Sequence, residues 1–135
     1  GPAFLKNEKA GKFFVVYSCN GSWPKDYRLG YLELDDTLDP LVSSNWKKSS
    51  NHIFYRNDNT TSKGVNGVGH CSFTKSPDET EDWIVYHTKN SREGGWESGR
   101  STFIQKITWN DNGTPNLGTP VGWGEVLALP SGEIR

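Results

Sequence analysis

Apolar residues fall along this chain in short runs separated by turn residues. Their spacing follows the two-residue period of strands rather than the 3.6-residue period of helices. Residues 12–18 (KFFVVYS) form a compact apolar run bounded by Gly11 and by Asn20-Gly21, which predicts a buried strand. Residues 27–34 (YRLGYLEL) alternate, with Arg28 and Gly30 on one side and Leu29 and Tyr31 on the other. Residues 51–56 (NHIFYR) are a weaker strand candidate. Residues 69–76 (GHCSFTKS) stop at Pro77-Asp78, a turn signal. Residues 82–88 (DWIVYHT) repeat the character of the first run, and residues 101–109 (STFIQKITW) alternate up to the turn Asn110-Asp111-Asn112-Gly113. A final strand with a glycine bulge is expected over 120–129. No segment carries a sustained helical stripe; in 35–46, Pro40 and the paired serines favour a loop.

The pattern repeats. A strand, a turn, an aromatic-rich strand, a loop and an alternating strand run from 2 to 34 and again from 69 to 109. A four-stranded unit recurring after several tens of residues is the signature of a β-propeller blade, although a β-sandwich with two similar hairpins has the same periodicity. Composition agrees with a turn-rich β protein: 15 Gly and 7 Pro interrupt a chain that is 13% aromatic with six Trp. The formal net charge of −1 gives no field for nucleic acid or an anionic membrane, and no apolar run is long enough to span a bilayer.

Asn20-Gly21-Ser22, Asn59-Thr60-Thr61 and Asn112-Gly113-Thr114 fit the N-glycosylation pattern, and Cys19 and Cys71 make an even pair. Together they favour a secreted, extracellular protein with glycans on Asn20, Asn59 and Asn112. A cytoplasmic protein with two small buried thiols is the plain alternative.

More specific is the ordered series Gly67-Val68-Gly69-His70-Cys71-Ser72-Phe73, Ser76-Pro77-Asp78, Asp82-Trp83-Ile84-Val85-Tyr86-His87, then Arg100, Gln105-Lys106 and Trp109, then residues 113–121 (GTPNLGTPV). Upstream, Tyr17-Ser18, Asp26-Tyr27 and Leu29-Gly30 extend it. This series resembles glycoside hydrolase family 43, five-bladed β-propellers acting on arabinose- and xylose-containing polysaccharides, and particularly its exo-α-1,5-arabinofuranosidase-type members. Cys71 departs from it, standing where the family usually has Asn.

The resemblance implies an all-β fold of about two four-stranded blades of a five-bladed β-propeller, with residues 1–60 as one blade and 61–135 as a second blade plus ring closure. It implies that Gly1-Pro2 follows directly on the general acid Glu, with the base in upstream blades. Inverting hydrolysis needs one carboxylic acid to protonate the leaving oxygen and one carboxylate to activate water. Within residues 1–135 no pair matches. Asp78, Glu79, Glu81 and Asp82 surround a hairpin tip, Glu8 lies on another, and Asp35, Asp36 and Asp39 lie in a loop. Asp26, Glu93 and Glu97 are better placed but correspond to no catalytic position of the family.

The same frame implies a substrate-binding face of Trp23, Asp26, Tyr27, His87, Trp96 and Arg100. Trp23 and Trp96 suit stacking on a pentose ring, or packing under their own loops. Arg100 suits a fork onto sugar hydroxyls or onto the acid, or a plain surface role. For His87, binding and structural roles stand equal. His70 is placed near the axis, holding a water or a water-coordinated calcium, unless it is a hydrogen-bonded structural residue. Cys19 and Cys71, at one end of neighbouring blades, are expected to form a disulfide. The remaining tryptophans, Trp46, Trp83, Trp109 and Trp123, read as packing and His52 as surface. The expected partners are an arabinose- or xylose-containing oligosaccharide and either an N-terminal fragment of the same enzyme or a second copy of this chain. The competing reading is a sugar-binding, lectin-like protein without catalysis.

Overall fold

The computed structural model describes residues 1–58, 65–89 and 99–134. It consists of two four-stranded antiparallel sheets, each in sequential order. The first holds β1 (Ala3–Asn7), β2 (Lys12–Cys19), β3 (Arg28–Asp35) and β4 (Lys47–Lys48). The second holds β5 (Asn66–Lys75), β6 (Asp82–Lys89), β7 (Arg100–Trp109) and β8 (Pro115–Asn116). These are two four-stranded blades of a five-bladed β-propeller.

Alternation explains the packing. Leu5 faces Phe14 and Ala3 faces Val16 across β1 and β2, so one side of the first blade is continuously apolar. Ile84 and Tyr86 do the same in β6, opposite Gln105 and Phe103 of β7. The two sides meet in one core that includes Leu5, Phe14, Val16, Leu29, Ile84 and Tyr86. Edge-to-face contact between Phe54 and Tyr86, centroids 4.8 Å apart, joins the blades. On the other side of the first blade, Phe4 is 62% exposed and stacks obliquely on Phe13, 5.4 Å between centroids.

Two strand expectations are corrected. Residues 120–129 are not a strand. The outer edge of β7 pairs with β8 instead, and the Gln105 side chain then holds the chain that follows. Its amide nitrogen donates to the Leu117 and Thr119 carbonyls at 2.7 and 3.2 Å, and its carbonyl accepts from Val121 N and the Tyr86 hydroxyl. A buried amide thereby replaces a ladder, and Gly122 and Gly124 continue into an irregular tail. Residues 51–56 contribute a single bridge, Leu29 to Phe54, because the outer position of the first sheet is taken by β4. The 35–46 segment is a loop apart from one 3-10 turn at Ser43–Asn45.

Candidate functional site

The end of β2, the start of β3, the end of β6 and the start of β7 lie together at one end of the two blades. The strand β5 is irregular there. Its register against β6 shifts between Asn66 and Gly69 and again between Gly69 and Ser72, and both Gly67 and His70 have left-handed backbone, with φ of 62° and 48°. For a histidine this conformation costs of order 1 kcal/mol and persists only where the surroundings impose it. Here they do. The His70 N–H donates to Ser18 Oγ at 2.9 Å, and Gly67 N–H donates to the Lys25 carbonyl at 3.0 Å. Donors released by the bulges are thus satisfied by the first blade.

Tyr27 closes the space between the blades. It is buried, its ring lies 5.6 Å from the His87 ring at an interplanar angle of 19°, and it covers Gly69 so closely that a Cβ there would fall 2.3 Å from its ring. Only glycine fits at that position. The His70 ring centroid lies 6.3 Å from that of His87, and a Cβ on Gly1 would sit 3.1 Å from His70 Nε2. The amino end of the first blade therefore meets the two imidazoles. Burial, reinforced by the charges of Arg100 and His70, pushes the His87 pKa down to about 4. His87 is a neutral imidazole at neutral pH, and its buried Nε2 has no hydrogen-bond partner among the described residues.

Trp23 stands at the rim, 59% exposed, on a loop held from beneath: the buried Lys89 ammonium donates to its carbonyl. Lys89 was not singled out from sequence, since a lysine ending an apolar strand reads as a surface residue. Asp26 turns away from the imidazoles towards Tyr55 and Arg56. The Tyr55 hydroxyl donates to it at 2.5 Å and Arg56 forms an ion pair with it, so its carboxyl is held below the usual range, chiefly by the Tyr55 bond. Arg100 begins β7 within electrostatic reach of His87. The structure thus brings Tyr27, His70, His87, Arg100 and Gly1 together, with Trp23 beside them. Trp96, Glu93, Glu97 and Asn59 lie outside the described residues.

The carboxylates of Asp78, Glu81 and Asp82 are engaged elsewhere. Asp78 accepts from Ser131, Ser76 and Thr80, which depress its pKa strongly. Glu81 binds Lys106, Ser131 N and the Trp83 indole, and is also lowered. Asp82 accepts from the Trp109 indole at 2.9 Å and pairs with Lys75. These groups gather at the β5–β6 hairpin tip, the far end from His70. General acid catalysis at neutral pH requires a carboxyl whose pKa is raised; among the described residues every carboxyl with a resolved shift is lowered.

The expected Cys19–Cys71 disulfide is not formed; both thiols are free. Alternation along β2 explains this. Ser18 is the residue directed at β5, so Cys19 points to the opposite side, where Gly30 and Ser49 lie against its sulfur. Cys71 is packed in the core, and burial raises its thiol to about 11. No group of three or more His, Cys, Asp or Glu side chains suited to a metal exists among the described residues. Calcium takes oxygen ligands, so the imidazole of His70 fits such an ion only through intervening water.

These features define a class: a segment of a β-propeller whose inner strand ends carry an imidazole and aromatic rim. The chain belongs to glycosyl hydrolases family 43, whose family model matches residues 1–115. An extracellular exo-alpha-(1->5)-L-arabinofuranosidase of Streptomyces avermitilis is 38% identical over 128 residues, covering 92% of this chain and 25% of that protein. Alpha-L-arabinofuranosidase B of Pyricularia oryzae is 34% identical over 115 residues, 82% of this chain and 23% of that protein. The crystal structure of an alpha-L-arabinofuranosidase from Lactobacillus brevis superimposes with a TM-score of 0.79 at 36% identity, covering 93% of this chain and 38% of that one. The chain spans about a quarter of the length of the curated relatives it matches.

Proposed function

We propose that this chain forms one wall of the active site of a secreted family 43 hydrolase that cleaves α-L-arabinofuranosyl (or xylosyl) linkages of plant cell-wall polysaccharide with inversion. The general acid is a Glu preceding Gly1, and the base belongs to further blades. The observation that carries this reading is the position of Gly1 against His70 and close to His87. A carboxyl joined to Gly1 would emerge at the rim made by Tyr27, His87, Arg100 and Trp23. There the neutral His87 backs the rim without adding charge, Arg100 holds hydroxyls or orients the acid, and the Trp23 indole covers a sugar face. Extracellular location, glycans on Asn59 and Asn112, and a water-held calcium beside His70 belong to the same proposal. The exposed Phe4 and Phe13 face supports association with an upstream fragment of the same enzyme or with a second copy.

The test is reconstitution. This chain mixed with a polypeptide carrying the upstream blades should release arabinose from arabinotriose, with the inverted anomer appearing first by NMR, while either part alone is inactive. Failure to gain activity in a mixture that associates would refute the enzyme reading. The lectin-like alternative rests on the exposed Trp23 indole at the rim. It predicts arabinotriose binding by this chain alone, lost in Trp23→Ala, with no hydrolysis in any mixture.

A further inference from the structure

A second recess lies at the same end of the first blade, outward of the rim. It encloses about 300 Å³ between the β2–β3 end and the 48–52 segment. Its lining contains Arg28, Lys48 and His52 and not one Asp or Glu, in a chain where acids outnumber bases 16 to 15. Arg28 lies over the Tyr55 ring, 5.1 Å from its centroid, and His52 stacks on the same ring at 4.8 Å, so one aromatic fixes both. Neither Arg28 nor Lys48 forms an ion pair among the described residues. Asp26, whose carboxyl the Arg28 charge also helps to lower, is hydrogen-bonded by Tyr55 and paired with Arg56. Gly30 shapes the recess: a Cβ there would meet Cys19 Sγ at 3.2 Å, Ser49 Oγ at 3.3 Å and the Tyr17 hydroxyl at 3.6 Å. Hydroxyl groups of Tyr17, Ser49 and Ser50 complete the lining.

Two cations without an ion pair among the described residues, beside several hydroxyls, suit a ligand with one carboxylate and several hydroxyl groups of its own. We infer that this recess binds a uronate residue of an acidic polysaccharide, Arg28 and Lys48 taking the carboxylate while the Tyr17 and serine hydroxyls meet the sugar. The inference rests on the carbohydrate-directed reading above and refines it. A branch or neighbouring unit carrying a carboxylate would be recognised beyond the rim, giving preference for acidic over neutral substrates. A planar guanidinium binds carboxylate through two parallel hydrogen bonds, and the lysine adds charge.

Digalacturonate, its methyl ester and inorganic phosphate are the probes, titrated into this chain by calorimetry with amide and ring shifts followed by NMR. Digalacturonate should bind with shifts at Arg28, Ser49 and His52, and the methyl ester at least about tenfold more weakly. Lys48→Glu, at an exposed position, should weaken digalacturonate by about tenfold or more while leaving arabinose release from arabinotriose by the reconstituted mixture unchanged. Gly30→Ala, which fills the floor without a charge change, should weaken it as well. Equal affinity for the ester, or phosphate binding as tightly as digalacturonate, overturns a uronate site in favour of no carboxylate recognition or of simple anion attraction. Absence of digalacturonate binding at millimolar concentration overturns it too. Arabinose release by the reconstituted mixture reports on the rim separately, so the two readings fail independently.

Discussion

The two blades share one topology and differ in their inner strands. In the first, β1 pairs with β2 through five consecutive positions without a break. In the second, β5 meets β6 with two register shifts within seven residues, from Asn66 to Ser72. Both blades keep an unbroken eight-residue ladder between their next two strands. The regular inner strand supplies core, while the irregular one aims His70 and makes room for Tyr27. The irregularity is supported from outside, since Ser18 and the Lys25 carbonyl of the first blade receive the N–H groups that the bulges release. A bulge re-aims a side chain at the expense of pairing, and here the neighbouring blade makes up the pairing.

If the first blade is scaffold and the second carries the adjustable strand, substitutions should separate stability from site geometry. Phe14→Ala should have the largest effect. Phe14 is fully buried between Leu5, Tyr31 and Trp109, and its loss should cost about 3–5 kcal/mol, seen as a large drop in the denaturant midpoint for both blades together. A transition in which the second blade stays folded would break the claim of one shared core. Gly69→Ala comes next. A methyl group 2.3 Å from the Tyr27 ring must displace it, costing about 1–3 kcal/mol, and should move the His87 ring resonances while the β2–β3 amide shifts hold. If the His87 resonances stay fixed, Tyr27 does not set the geometry of that end.

The contrast also shows what can be read from residues alone. The strands 12–18 and 82–88 were legible as short apolar runs bounded by turn residues and 101–109 by its alternation, while their recurrence fitted blades and a sandwich alike until the family resemblance decided. Their far-end carboxylates were legible as a hairpin tip, which is where Asp78, Glu81 and Asp82 lie. The bulges of β5 left only the glycines at 67 and 69 as a trace, and nothing in the composition marks His70 as left-handed. The 120–129 expectation failed because alternation cannot distinguish a ladder from a chain held by one buried amide, Gln105. The disulfide failed for a related reason: placing two cysteines at one end of neighbouring blades says nothing of the direction of Cys19, which the Ser18 contact decides.

The smallest expected effect is the most specific to the irregular blade. His87 has an ordinary pKa of 6.5 when unfolded and about 4 in the fold, so between those values the unfolded chain holds a proton that the folded chain refuses. Stability therefore declines as pH falls from about 6.5 and levels off for this group near pH 4. The carboxyls behave differently. Asp26, Asp35, Asp78 and Glu81 have lowered folded pKa values, so what they contribute is present above their ordinary values of 3.8 to 4.5 and is lost below them. The two windows barely overlap. A decline in the unfolding midpoint between pH 6.5 and pH 4.5 thus reports mainly on the second blade, and the decline below it on the hairpin tip and the first blade. His87→Phe should flatten the upper window and leave the lower one intact, and the ring resonances of the unaltered protein should titrate near pH 4. Titration of that ring near 6.5 would show that water reaches His87 freely, and the neutral imidazole proposed for the sugar rim would have to be given up.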